Sequence, residues 1–137
     1  MLPKVLMVLG AAVVGLLGAI HLFYTFFSNK FDVRDPAVCA AMKATSPVLS
    51  RHTTMWSAWI GFNASHGLGV VLFAAIYLVL ALGHMHVLRE SATLTWLPVA
   101  GSAAYLALAK RYWFRSPLVG VAIAMACFLI AACALSY

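Results

Sequence analysis

Every charged residue of this chain lies outside four long apolar runs, and that arrangement leaves few folds open. The nine Lys+Arg and three Asp+Glu residues fall before residue 5 and in the segments 28–55, 84–92 and 110–116. The spans between them, at about 5–27, 56–83, 93–109 and 117–135, are each near the roughly 20 residues that a helix needs to cross the hydrocarbon core of a bilayer. Composition agrees. The chain is 65% hydrophobic and 9% charged, where soluble domains run near about 45–50% and about 25%. Soluble globular, disordered and disulfide-stapled classes are thereby excluded. The expected fold is all-α, a four-helix transmembrane bundle with both termini on the same side and a single integral membrane domain over residues 1–137.

Local signals refine the layout. The first run is too long for the apolar core of a signal peptide and is read as an uncleaved helix. In the loop 28–53, Asp35-Pro36 reads as an N-cap followed by a first-turn proline, and Ser46-Pro47 as a stop, which predicts a short helix on the membrane surface. The run from Thr54 to Gly83 would be about 45 Å long at 1.5 Å per residue, so Trp56 and Trp59 are expected in the interfacial aromatic belt. Residues 84–90 read as a short turn, 110–115 as a basic-aromatic turn, and Pro98 as a kink unless neighbours accommodate it. Cys39 falls in the loop. Cys127 and Cys133 are separated by about 240° around a helix and read as packing residues.

The net charge of +6 is distributed as topology demands. Four spans leave Lys4 and Arg89 on the terminal face, against Lys30, Arg34, Lys43, Arg51, Lys110, Arg111 and Arg115 on the other. The positive-inside rule places the loop 28–53 and the turn 110–116 in the cytoplasm, with both termini outside. The excess of cations is thus assigned to orientation and anionic membrane lipids rather than to nucleic acid. Small residues recur at four-residue steps: Ala11, Gly15 and Ala19; Ser57, Gly61, Ser65 and Gly69; Gly120 and Ala124; Ala122 and Ala126. Such ridges let helices approach closely where lipid offers no hydrophobic gradient.

A second set of residues lies at one depth. His21 and Tyr24 sit near the end of the first run, His21 roughly 9 Å from Phe27. Asn63 and His66 are roughly 6 and 10 Å beyond Trp59, and Tyr105 and Ser102 are as far from Ala109. The six form a candidate polar layer in the cytoplasmic leaflet, since intramembrane polar groups normally face the bundle interior. Interhelical hydrogen-bond glue, at about 0.6 kcal/mol per bond, is one reading. A binding pocket for a lipid-like or quinone-like molecule is another, with Arg51, Lys110, Arg111 and Arg115 as a rim for an anionic headgroup or phosphate. A bis-histidine haem between His21 and His66 is a third, because axial ligation needs two histidines at matched depth. His84 and His86, flanking Met85, are weak candidates for a metal. Asp32, Asp35 and Glu90 all lie outside the spans, which removes a buried-carboxylate proton relay.

The stretch Arg51-His52-Thr53-Thr54-Met55-Trp56, followed by Gly61-Phe62-Asn63-Ala64-Ser65-His66-Gly67-Leu68-Gly69, resembles a segment of a family of small, uncharacterised bacterial four-helix membrane proteins. The resemblance implies the four-span layout and a bacterial inner membrane, and it brings no activity. Membrane-associated eicosanoid and glutathione enzymes of similar size carry an Asn-x-x-Glu pattern in their second helix, whereas His66 follows Asn63 here. The expected function is that of a binding protein for a lipid-like or quinone-like molecule, or an accessory subunit of a larger membrane complex or homo-oligomer. A membrane enzyme or haem-binding redox protein using His21 and His66 is the alternative, and a small oligomeric transporter the third.

Overall fold

A computed structural model describes residues 1–136. The described chain is helical, with α1 (Leu2–Phe27), α2 (Pro36–Ala44), α3 (Met55–Gly83), α4 (Met85–Glu90), α5 (Ala92–Tyr112) and α6 (Arg115–Ser136). Four of these, α1, α3, α5 and α6, are long and apolar enough to cross a membrane. The chain is an all-α, four-helix membrane protein. Its helices group into two compact units, one of residues 1–17 and 70–136, the other of residues 18–69. Both α1 and α3 contribute to each.

The first unit is built on small residues. Its core gathers Met7 and Ala11 of α1, Tyr77 and Ala81 of α3, Leu88 of α4, Val99 of α5, and Ala124, Phe128, Ala131 and Ala132 of α6. A Cβ on Gly10 would stand 2.8 Å from the Phe128 ring, and one on Gly120 would stand 2.8 Å from Leu17. The two glycines therefore admit bulky partners, and the pairings of 10 with 128 and 17 with 120 make α1 and α6 antiparallel. Gly15 lies likewise against Ala74, and Lys4 Nζ donates to the Leu82 carbonyl at 3.1 Å. That ammonium meets a carbonyl of the last turn of α3, where the helix leaves acceptors unpaired and the dipole favours a cation.

Polar groups in this unit repair backbone. Pro98 lies buried inside α5, and proline offers no N–H to the carbonyl four residues back. The carbonyl so deprived is Leu94, and the Tyr77 hydroxyl donates to it at 2.9 Å from α3. The expected kink at Pro98 is thus accommodated by a neighbour, and α5 runs through without a break. Between α4 and α5, Thr95 donates its hydroxyl to the Leu88 carbonyl, which α4 ends too soon to bond. Ser91 caps α5 by accepting from Leu94 N–H.

Several boundaries differ from the sequence reading. Residues 85–90 form a helix rather than a turn, because Leu88 is 1% exposed and holds the segment in the core. Lys110, Arg111 and Tyr112 extend α5 instead of opening the turn. Cys39 lies in α2. The small-residue ridge of α3 is elsewhere: a Cβ added at Gly61 or Gly69 would meet nothing within 4 Å, and Ser57 and Ser65 are exposed. Its buried stripe is Gly67, Ala74 and Ala81, a seven-residue period that keeps one face turned inward. On α6, Gly120 and Ala124 pack while Ala122 and Ala126 are exposed.

The second unit holds the end of α1, α2 and the start of α3. As expected, Asp35 caps α2, accepting from Ala37 N–H at 2.8 Å with Pro36 in the first turn. The loop is fastened to α3 by Met55 N–H donating to the Thr45 carbonyl at 2.8 Å. Lys43 adds a cation over the Trp56 ring, 5.1 Å from its centre, a contact suited to a wet interface.

Candidate functional site

The second unit brings three of the expected polar residues into contact. His21 Nε2 and Asn63 Oδ1 are 3.1 Å apart, joining α1 to α3. The Asn63 amide nitrogen donates to the Trp59 carbonyl one turn earlier, at 2.9 Å. An amide nitrogen only donates and a carbonyl only accepts, so this second bond fixes which end of Asn63 faces His21. His66 lies three residues further along α3, on the same side as Asn63. Its ring meets that of His21 nearly edge-on, with centres 4.9 Å apart and planes at 69°. All three are half-buried.

Close approach of the two helices has a local cause. A Cβ at Gly67 would stand 2.9 Å from Leu22 and 3.3 Å from His21 Cδ2, so only glycine lets His21 settle here without displacement. Thr25 of α1 and Ser28 just beyond its end donate their hydroxyls to the carbonyls of His21 and Tyr24, at 2.8 and 3.0 Å. These backward bonds hide two polar side chains against their own helix and leave the ring of His21 to face α3.

Two aromatic residues complete the setting. The turn after α1, in which Lys30 N–H bonds Ser28 Oγ and Asp32 N–H bonds the Asn29 carbonyl, returns Phe31 over the helix end. Its ring centre is 4.6 Å from that of His21 and 6.1 Å from that of Tyr24. Trp59 Nε1 donates to the Phe31 carbonyl at 3.1 Å, tying the turn to α3. Tyr24 thus joins the cluster through Phe31. Depth along the helices assigns Trp59 to the interfacial belt and says nothing of Phe31. The signal that points to it is an aromatic residue isolated in a polar loop four positions beyond Phe27.

The other expected members fall in the first unit. Ser102 is buried at 5% exposure in α5, and the Tyr105 ring stands 5.9 Å from that of Trp113. Lys110, Arg111 and Arg115 are exposed at the junction of α5 and α6, with the Arg111 guanidinium over the Tyr112 ring and its Nε donating to the Tyr112 hydroxyl. Arg51 is exposed in the second unit. Two open grooves in the first unit, one of about 370 Å³ beside Lys4 and Leu82 and one of about 280 Å³ beside Arg89 and Thr95, are lined by none of the six polar-layer residues.

The histidine geometry discriminates among chemistries. Bis-histidine haem ligation needs both rings to aim a nitrogen at one iron from opposite faces of the macrocycle. Here the two rings touch edge to face, and His21 Nε2 is engaged by Asn63, so the pair does not fit a haem. His84 and His86 have ring centres 6.1 Å apart and are exposed. Among the described residues no three His, Cys, Asp or Glu gather as a metal site would require. Comparison of the chain with known protein families, with curated proteins and with solved structures finds no match.

Proposed function

We propose that this chain is a multi-pass protein of the bacterial inner membrane that binds a lipid-like or quinone-like amphiphile by its polar head at His21, Asn63 and His66. The observation that carries this reading is the His21–Asn63 contact with the His66 ring against it, half-buried in apolar helices and flanked by Phe31. Hydrogen-bonding side chains in hydrocarbon are costly. Here they are gathered by a glycine and a folded-back loop, devices that a single interhelical bond does not need. A ligand would meet the cluster from its exposed side. Its ring or carbonyl would lie beside Phe31 and Tyr24, and its tail would follow the apolar faces of the helices.

Orientation belongs to the same proposal. The antiparallel course of α1 and α6 supports both termini on one side, and the seven-to-two distribution of cations supports the loop 28–53 in the cytoplasm. Arg51, Lys110, Arg111 and Arg115 would then meet the anionic inner leaflet. A C-terminal reporter active only outside the cytoplasm tests this, and a cytoplasmic signal refutes it.

Binding is tested by native mass spectrometry of the detergent-purified protein, followed by organic extraction of what it carries. A co-purified amphiphile is expected, retained by the wild type and lost from His66→Leu with helicity unchanged. A wild-type protein that carries no amphiphile and takes up none of a quinone analogue, or a His66→Leu variant that unfolds, returns the cluster to interhelical glue.

A further inference from the structure

We infer that this site selects a hydrogen-bond donor: a hydroxylated aromatic head group on an apolar tail, of the quinol type, in preference to the matching quinone. The inference rests on the amphiphile reading above and adds the chemistry of the head group. It follows from how hydrogens are distributed along one chain of side chains. Asn63 commits its amide nitrogen to the Trp59 carbonyl, so the atom it turns to His21 is an acceptor. His21 Nε2 must therefore carry a hydrogen to make the 3.1 Å contact. A neutral imidazole carries one hydrogen, which leaves Nδ1 of His21 as a lone pair.

Among the described residues, Asn63 is the one residue that hydrogen-bonds the His21 side chain. No fully enclosed side-chain nitrogen or oxygen among them lacks a partner, so Nδ1, left without one, is not fully enclosed. An acceptor in apolar surroundings gains from a donor and gains nothing from a second acceptor. A quinol brings a hydroxyl; a quinone brings only carbonyl oxygens, which would set lone pair against lone pair. The Phe31 ring beside the imidazole, with Tyr24 beyond it, favours an aromatic head over an aliphatic alcohol, since aromatic rings pair edge-to-face or offset.

The test uses the full chain with isotope-labelled histidine in phosphatidylcholine nanodiscs. It is titrated with a short-chain ubiquinol kept anaerobic, the matching ubiquinone, and the dimethyl ether of the quinol, which keeps the ring and removes both donors. The quinol is expected to bind about tenfold more tightly than either competitor, the upper range of one neutral hydrogen bond. It should also move the NMR signal of the unprotonated ring nitrogen of His21, which the ether leaves in place. In Asn63→Leu the ring is free to take either tautomer, and the preference for quinol over quinone should fall towards unity. If that variant does not fold, the ether comparison on the wild type decides the same point. Quinone binding as tightly as quinol, or quinol binding without a shift at His21, overturns donor selection and leaves the amphiphile reading standing. Failure of all three probes to bind overturns both.

Discussion

Polar side chains are placed differently in the two units of this protein. In the first, two buried hydroxyls serve the backbone: Tyr77 supplies the donor that Pro98 withholds from Leu94, and Thr95 pairs the carbonyl that the end of α4 leaves at Leu88. In the second, Asn63 and His21 bond each other while His66 leans on His21, and no helix depends on them for its own hydrogen bonds. Backbone groups in hydrocarbon must be satisfied within the protein, so the Tyr77 and Thr95 hydroxyls are committed to that task. The His21–Asn63 bond, by contrast, fills no gap left by a proline or a helix end. Polarity inside a membrane protein is thus no marker of a site by itself; what the polar atom is bonded to decides its role.

The sharpest contrast concerns packing. Phe128 is fully buried, and Gly10 is kept bare to seat it. Phe128→Ala should cost about 3 kcal/mol, the low end for a buried aromatic because lipid weakens the transfer component, measured by reversible unfolding in mixed micelles. A loss under about 1 kcal/mol would mean that the first unit is not held by this contact. Next comes Tyr77→Phe, which leaves the Leu94 carbonyl beside Pro98 without its donor and should cost about 1–2 kcal/mol. The same assay on Asn63→Leu should give about 0.6 kcal/mol, the average for an interhelical bond in a bilayer, together with loss of the preference for quinol over quinone. If Asn63→Leu destabilises more than Tyr77→Phe, the distinction between the units fails.

Glycines sharpen it further. Gly67→Ala would press on Leu22 and His21; since the Leu22 side chain can yield in part, the expected cost is about 1 kcal/mol. Weakened ligand binding should accompany it as His21 is displaced. Gly69→Ala, which meets nothing within 4 Å, should change stability by no more than about 0.5 kcal/mol and leave binding intact. Equal effects at 67 and 69 would show that close approach at Gly67 is not what positions His21.

The number, class and approximate ends of the spanning helices were legible in the sequence because exclusion of charge from hydrocarbon is a one-dimensional rule, readable residue by residue. The cap at Asp35 with its following proline was equally legible, since capping is settled within one helical turn. Matched depth also brought His21, Asn63 and His66 under suspicion, because rise per residue is constant along a helix. Rotation about the helix axis was not legible. In lipid an exposed face can be as apolar and as rich in small residues as a packed one, so the stripe read on α3, Ser57, Gly61, Ser65 and Gly69, was the wrong one, and Gly67, Ala74 and Ala81 are buried instead. The return of Phe31 over His21 and the donation of the Tyr77 hydroxyl beside Pro98 likewise join residues far apart in the chain. Which carbonyl lacks a donor, and which side chain stands near enough to supply one, is a property of the packed helices and of no segment taken alone.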